Sequence, residues 1–228
     1  MSPDASTPTV HVFFDYVCPY AYIGKLRADE IERQYDVNVR FLPWEIYPNA
    51  VPTGETMDWD PPEAYTSWVE SLAEEVGAEL NGPEMAINAN LALRGFLYAG
   101  DQGEEIQRAY HDAVFEAVWT QGRNIGDEDV LAEIVAGIDG LDPESFLAGI
   151  RHHSYQYRLD LIDQLAEEEL GIQRVPTFVF GDQRIVGNDR FEPSLRSPLE
   201  AYLERRKHVG EDWASTLDHD TGLGHLDV

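Results

Sequence analysis

The chain has 228 residues, and its 43 acidic side chains against 16 Lys and Arg give a net charge of −27. A field of that sign repels phosphate backbones and anionic lipid headgroups, which argues against nucleic-acid or membrane partners. Hydrophobic residues make up 43 %, enough for a packed core, so global disorder is excluded. The acids are spread along the chain and Lys25 and Lys207 are the only lysines, a pattern that we expect of a halophilic source.

The sequence also bears on compartment and redox state. It has no apolar run of about 18 residues, so no membrane-spanning helix is expected. The first ten residues lack the basic start and apolar centre of a secretion signal, and we expect a cytoplasmic protein. Cys18 is the single cysteine, which excludes an intramolecular disulfide.

The first 45 residues are predicted to form a strand, a helix and a second strand. Residues 10–16 are β-branched and aromatic and too few for a helix, which indicates a buried strand. A helix is predicted from about Pro19 to Tyr35, since proline suits a first helical turn. Residues 37–44 alternate as a strand until Pro43 interrupts them. The result is a βαβ unit with a right-handed crossover.

The rest of the chain is predicted to be a long loop over 45–61, helices over 62–171 and then a hairpin and helix. The helical part is expected to break near His152 and His153 and to end at Gly171. Residues 177–180 and 184–186 read as strands joined by a Gly181-Asp182 turn. A last helix follows over 193–207. One α/β sheet interrupted by a helical insertion explains this order better than two tandem domains.

Cys18 stands where the first strand ends and the helix begins. The free N–H groups of a helix N-terminus stabilise negative charge, so a thiol there is predicted to have a lowered pKa and to act as a nucleophile. The alternative is a small buried apolar residue, the commoner fate of a free cysteine.

A second feature is Val175-Pro176, directly before the third strand. The proline could simply mark a turn. If the bond is cis, backbone groups of Val175 would point outward beside the first helix and could pair with a thiol-bearing chain. The sequence leaves the isomer open.

Four segments, in this order, resemble the thioredoxin fold of the DsbA family, and more narrowly its FrnE-like branch. They are Phe14 to Lys25 (with Cys18-Pro19-Tyr20), Pro43-Trp44-Glu45 with Pro48-Asn49 and Gly54, Gly122 to Asp127, and Gly171 to Phe180. The resemblance covers nearly all of residues 10–206. It implies a thioredoxin-like domain over 10–61 and 172–207, a helical insertion over 62–171, and flexible ends at 1–9 and 208–228.

The resemblance also implies a thiol–disulfide oxidoreductase acting on a small-molecule or protein thiol or disulfide. FrnE-like enzymes carry Cys-x-x-Cys, whereas here Ala21 stands in place of the second cysteine. We therefore expect exchange through Cys18 alone, with a mixed disulfide released by an external thiol. The resemblance further implies that the substrate is bound by Pro19, Tyr20, Ala21, Trp44, Val175 and Pro176.

Residues 187–190 are similar to the glutathione-binding stretch of two sister groups, 2-hydroxychromene-2-carboxylate isomerases and kappa-class glutathione transferases. That likeness implies that Asn188 and Asp189 contact a small γ-glutamyl thiol as co-substrate, with no tightly bound cofactor and no metal. A thiol-dependent isomerase or transferase is the first alternative function, and a non-catalytic peptide-binding relative is the second. A turn followed by a helix cap is the structural alternative for these residues. The sequence leaves open whether two copies form a homodimer.

Overall fold

A computed structural model describes residues 7–49, 53–56 and 60–209, and its centre is a mixed four-stranded sheet. The strands are β1 (Thr9–Phe14), β2 (Asn38–Pro43), β3 (Thr177–Phe180) and β4 (Gln183–Val186), in the order β2-β1-β3-β4. β2 runs parallel to β1, and the other pairs are antiparallel. This is the α/β thioredoxin-like architecture that the sequence predicted.

The helices lie on both faces and over one end of the sheet. They are α1 (Pro19–Gln34), α2 (Glu63–Glu75), α3 (Asn90–Gln102), α4 (Glu104–Trp119), α5 (Glu128–Ala136), α6 (Pro143–Ile150), α7 (His153–Gln164), α8 (Phe191–Ser194) and α9 (Arg196–Val209). A π-helical turn, Leu165–Glu169, extends α7. Helices α2 to α7 thus all lie in the chain between β2 and β3.

The sheet separates two apolar layers. One layer packs α1 and α9 on side chains that point to the same face of the strands, among them Val10, Val12 and Phe178. The other layer joins Phe13, Leu42 and Val179 to the helices between β2 and β3 in one continuous cluster. The inserted helices therefore share a core with the sheet.

Several predicted boundaries move by one or two residues. β1 ends at Phe14, because Asp15 and Tyr16 already form the turn into α1. The expected break near His152 is confirmed, with α6 ending at Ile150 and α7 starting at His153. The predicted last helix is two pieces, α8 and α9.

The predicted flexible ends fall largely outside the described residues, which start at 7 and stop at 209. Where the two overlap, the prediction is corrected: Thr9 begins β1, because it pairs with Asn38, and α9 continues to Val209. No helix within the described ranges has the length and apolar character needed to cross a membrane.

Candidate functional site

Cys18 occupies the N-cap of α1, as the sequence predicted, and Pro19 is the first helical residue. The cysteine has extended backbone angles, and its carbonyl accepts a hydrogen bond from the Ala21 N–H at 3.0 Å. Its own N–H donates to the Asp15 carbonyl at 3.2 Å. The turn from β1 therefore holds the sulfur at the helix N-terminus.

The Cys18 thiol lies against the loop that leads into β3. Its Sγ donates to the Val175 carbonyl at 3.4 Å, and the Val175-Pro176 bond is cis. The Val175 N–H has no acceptor among the described residues. The segment around Cys18 and the segment around Val175-Pro176 are thus in contact.

Glycine at position 24 allows Pro176 to approach α1. A Cβ at Gly24 would lie 2.6 Å from Cγ of Pro176 and 2.7 Å from its Cβ. Such distances are impossible without a shift of the helix or the loop. Gly24 therefore permits the close approach of α1 and the Pro176 loop, where Cys18 and Val175 meet.

The predicted lowering of the Cys18 pKa is wrong. Burial leaves only 9 % of this residue exposed and raises the pKa of the thiol to about 12. The N–H groups of Ala21 and Tyr20 do lower the pKa, as a helix N-terminus should, but the Asp15 carboxylate raises it. Burial outweighs the amides, so Cys18 is a neutral thiol.

The other residues predicted around Cys18 take distinct places. Ala21, only 1 % exposed, stands one helical turn beyond the sulfur. The Tyr20 ring packs edge-on against Tyr65 of α2, with ring centroids 5.9 Å apart. Trp44 is buried in the same apolar cluster as Cys18, and its indole N–H has no acceptor in the described part of the chain.

Asn188 and Asp189 are fixed through their backbone. The Trp68 indole N–H donates to the Asn188 carbonyl at 3.2 Å, and Arg27 donates to the Asp189 carbonyl at 2.6 Å. The exposed Asp189 carboxylate accepts the Arg190 N–H at 2.7 Å through Oδ1. No described contact joins either residue to Cys18.

Arg27 was not predicted and organises this part of the site. It is fully buried in α1 and donates to the Gly187 carbonyl at 3.3 Å and to Glu75 of α2 at 3.0 Å. The sequence held one signal for this role. Arg27 follows Gly24 by three residues, and helical spacing puts both on the same face of α1. An arginine in a helix is ordinarily read as a surface residue, so that signal was missed.

The carboxyl groups of Asp15, Glu45 and Asp163 form a cluster next to the turn that carries Cys18. Asp15 accepts the N–H groups of Val17 and Ile46, and Asp163 accepts the Glu45 N–H at 3.1 Å. Burial raises the pKa of Asp15 and of Asp163 to about 7 each, and it raises the pKa of Glu45. Among the described residues no group of His, Cys, Asp and Glu is arranged to hold a metal ion.

The fold and the position of Cys18 agree with a match to a known protein family. The model of the DSBA-like thioredoxin domain matches residues 9–196. The chain belongs to this family. Membership of this family of oxidoreductases and isomerases indicates that the chain is an enzyme.

Two curated relatives match most of the chain. Uncharacterized protein YwbO of Bacillus subtilis is 34 % identical over 197 residues, covering 82 % of this chain and 96 % of its own. The 2-hydroxychromene-2-carboxylate isomerase of Pseudomonas putida is 25 % identical over 185 residues, covering 79 % and 89 %.

Two solved structures share the fold. A 2-hydroxychromene-2-carboxylate isomerase has a TM-score of 0.72 at 22 % identity, over 89 % of this chain and all of its own. The cytosolic disulfide reductase DsbM of Pseudomonas aeruginosa with GSH has a TM-score of 0.62 at 18 % identity, over 88 % and 100 %.

Proposed function

We propose that the protein is a γ-glutamyl-thiol-dependent isomerase or transferase of the DsbA-like family. In this proposal Cys18 stays protonated, and on binding it turns its S–H from the Val175 carbonyl to the sulfur of the bound thiol, which frees that carbonyl for the backbone N–H of the ligand. The observation that carries the proposal is the buried Cys18 thiol, with a pKa of about 12, hydrogen-bonded to Val175.

The protonation state of Cys18 separates the two catalytic possibilities. At pH 7 a thiol with a pKa raised in this way is almost wholly protonated. Such a thiol is a poor attacking nucleophile but a competent hydrogen-bond donor. Ala21 supports the same assignment, because without a second cysteine the chain cannot cycle between dithiol and disulfide.

The chain offers groups that fit a γ-glutamyl thiol. When bound, such a thiol would supply the nucleophilic sulfur. The unbonded Val175 N–H and the Val175 carbonyl match an extended cysteinyl backbone, and the exposed Asp189 carboxylate matches an α-ammonium group. The N–H groups of Ala21 and Tyr20 already favour the charged form of a sulfur at the helix start, since they lower the pKa of Cys18.

Single-cysteine thiol–disulfide exchange is the second candidate. It is favoured by the position of a cysteine, rather than a serine, at the N-cap of α1. In that reaction the Cys18 thiolate attacks one sulfur of a disulfide, forms a mixed disulfide and releases the other half as a thiolate. An external thiol then forms a new disulfide with the captured half and restores Cys18.

Two substitutions at one position distinguish these candidates. Cys18→Ser keeps a donor, and Cys18→Ala removes it. The proposal predicts that, with glutathione present, the serine variant isomerises 2-hydroxychromene-2-carboxylate within about tenfold of the native rate, whereas the alanine variant loses 10²-fold or more. Turnover is followed by ultraviolet absorbance.

Exchange gives a different pattern. Both variants would then fail to reduce glutathione disulfide, and only the native protein would carry a glutathione adduct by mass spectrometry. That result overturns the proposal. Extended-peptide binding that is equal in all three proteins, with no turnover, would instead identify a non-catalytic relative.

The compartment follows from the same proposal. A γ-glutamyl thiol in reduced form is available where thiols are kept reduced, so we propose the cytoplasm as the working location.

A further inference from the structure

One cavity formed by described residues lies away from the candidate thiol site. It has a volume of about 530 Å³ and follows the outer edge of β2, between that strand and helices α3, α4 and α7. Neither Cys18 nor Pro176 lines it. The volume is within the range that small-molecule sites occupy.

Apolar side chains make up about half of the wall, and the rest is polar, with Asp101, Glu104 and Gln107 beside the arginines and histidines. The apolar side chains contributed by β2, α3 and α7 are Val39, Phe41, Leu42, Phe96, Leu97 and Ile162. This apolar part of the wall can remove an apolar body from water and gives little orientation by itself.

His111 gives the cavity a buried polar group with an unmet hydrogen bond. Its Nδ1 lies 3.2 Å from the Tyr16 hydroxyl, and its ring packs on Phe14 and Phe41 at centroid distances of 4.4 and 4.3 Å. Burial lowers its pKa well below the usual value, so the ring is neutral. Its Nε2 is buried without a partner among the described residues. Because a buried polar atom without a hydrogen bond is unfavourable, a ligand atom that hydrogen-bonds to Nε2 would be stabilised there.

The outer edge of β2 is partly closed to another strand. The Val39 N–H donates to Glu32 at 3.1 Å, and its carbonyl accepts from Arg108 at 3.3 Å. Arg108 also holds Glu32 through two bonds of 2.6 and 2.7 Å. Since this ion pair occupies the edge, addition of a peptide strand is blocked there. A small molecule fits the space better.

Alternation along β2 leaves one open position. In a parallel ladder every second residue directs both its N–H and its carbonyl to the same side. Because Val39 faces outward, Phe41 does too, and Phe41 lines the cavity. A ligand oxygen could accept the Phe41 N–H.

Arg40 supplies a free positive charge beside the cavity. The other two arginines in the wall are paired, Arg108 with Glu32 and Arg158 with Asp101 at 2.8 Å. Arg40 is exposed and has no carboxylate partner in the described part of the chain. In a protein of net charge −27, this unpaired guanidinium offers a charged partner to one anionic group at a cavity whose wall is about half polar and half apolar.

We propose that this cavity is a second ligand site, for a small carboxylate with an apolar body and a hydroxyl at its far end. Arg40 binds the carboxylate, the apolar wall covers the body, and His111 Nε2 bonds the hydroxyl, which can donate or accept. The site is independent of the reaction at Cys18.

Three probes test the two polar contacts separately. They are 3-(4-hydroxyphenyl)propionate, 3-phenylpropionate without the hydroxyl, and 3-phenylpropanol without the carboxylate. Calorimetry at one fixed salt concentration is expected to show the first probe binding at least fivefold more tightly than either of the others. Arg40→Gln should weaken the first probe about tenfold and leave the alcohol unchanged.

Arg184→Gln is the matched control, because it removes the same charge from an exposed arginine of β4 outside the cavity. Amide NMR should move the Phe41 resonance and not that of Ala21. The proposal is overturned if no probe binds at 10 mM, if Arg40→Gln and Arg184→Gln weaken binding equally, or if the shifts centre on Ala21.

Discussion

The Cys18 thiol donates to the Val175 carbonyl at 3.4 Å across 157 residues of sequence. Burial of the sulfur at this contact raises the pKa of the thiol, because a thiolate would lose its hydration. The contact therefore positions the sulfur, and the burial around it keeps the thiol protonated.

Titration of Cys18 checks this relationship directly. The thiolate absorbance at 240 nm, taken as the difference between the native protein and Cys18→Ser, should rise only above about pH 10. Alkylation by iodoacetamide should accelerate with each pH unit up to that point without a plateau. A midpoint below pH 8 would contradict the assignment of Cys18 as a neutral donor.

Gly24→Ala tests the close approach of Pro176 to α1. The added Cβ would overlap the proline ring, and we expect a loss of about 1–3 kcal/mol in the free energy of unfolding. Faster alkylation of Cys18 should accompany it, because Val175 moves away. Urea denaturation measures the first effect.

Gly137→Ala is the control for that substitution. Gly137 has φ −88, and the nearest atom to an added Cβ is 3.4 Å away, so its effect should stay within about 0.5 kcal/mol. Equal effects of the two substitutions would show that Pro176 does not limit position 24.

Arg27→Met removes the donor that ties residues 187–190 to α1 and α2. The carbonyls of Gly187 and Asp189 lose a charged partner, while the aliphatic volume is largely kept. We expect a loss of about 2–3 kcal/mol in stability. Hydrogen exchange at residues 187–190 should quicken, and affinity for glutathione should fall.

The exposed Arg184 provides the comparison for Arg27. Arg184→Met should change neither stability nor exchange by a measurable amount. If Arg27→Met behaves in the same way, the buried arginine does not organise the Asn188–Asp189 segment.

Asp163→Asn tests the buried carboxyl cluster through pH. A carboxyl whose folded pKa is raised from 3.8 to about 7 binds more protons in the native state than in the unfolded state between these values. Stability contributed by the protonated group is therefore present below about pH 4 and is lost as pH rises to 7. The amide cannot ionise, so the variant should be more stable than the native protein at pH 8 by about 1–2 kcal/mol.

The pH series needs a variant that shares the change in net charge. Asp139→Asn, at an exposed position between α5 and α6, should leave the slope of stability between pH 4 and 7 unchanged. If Asp163→Asn keeps the native dependence of stability on pH, then other acidic groups cause that dependence.

The sheet and the meeting of Cys18 with Pro176 could be predicted because each depends on local features. Residues 10–14 are apolar apart from His11, a proline follows the cysteine, and the resemblance brought the two segments together. The pKa of Cys18 could not be predicted, because it depends on how deeply the inserted helices bury the sulfur. That depth is a property of tertiary packing, whereas the amide effect at the N-cap is local.

Arg27 and His111 show the second limit of sequence reasoning. Each is a polar residue whose role depends on a partner more than 40 positions away, Glu75 for Arg27 and Tyr16 for His111. Helical spacing assigns a face to such a residue but does not identify what lies opposite. The cavity along β2 was missed for the same reason.

The insertion of α2 to α7 has a consequence for engineering. Trp119 of α4 donates its indole N–H to the Tyr16 carbonyl at 2.8 Å, and His111 of the same helix meets the Tyr16 hydroxyl. Tyr16 lies in the turn that presents Cys18. Trimming the helical block to leave a minimal thioredoxin scaffold would therefore remove the supports of the reactive loop, and the two halves should melt in a single cooperative transition.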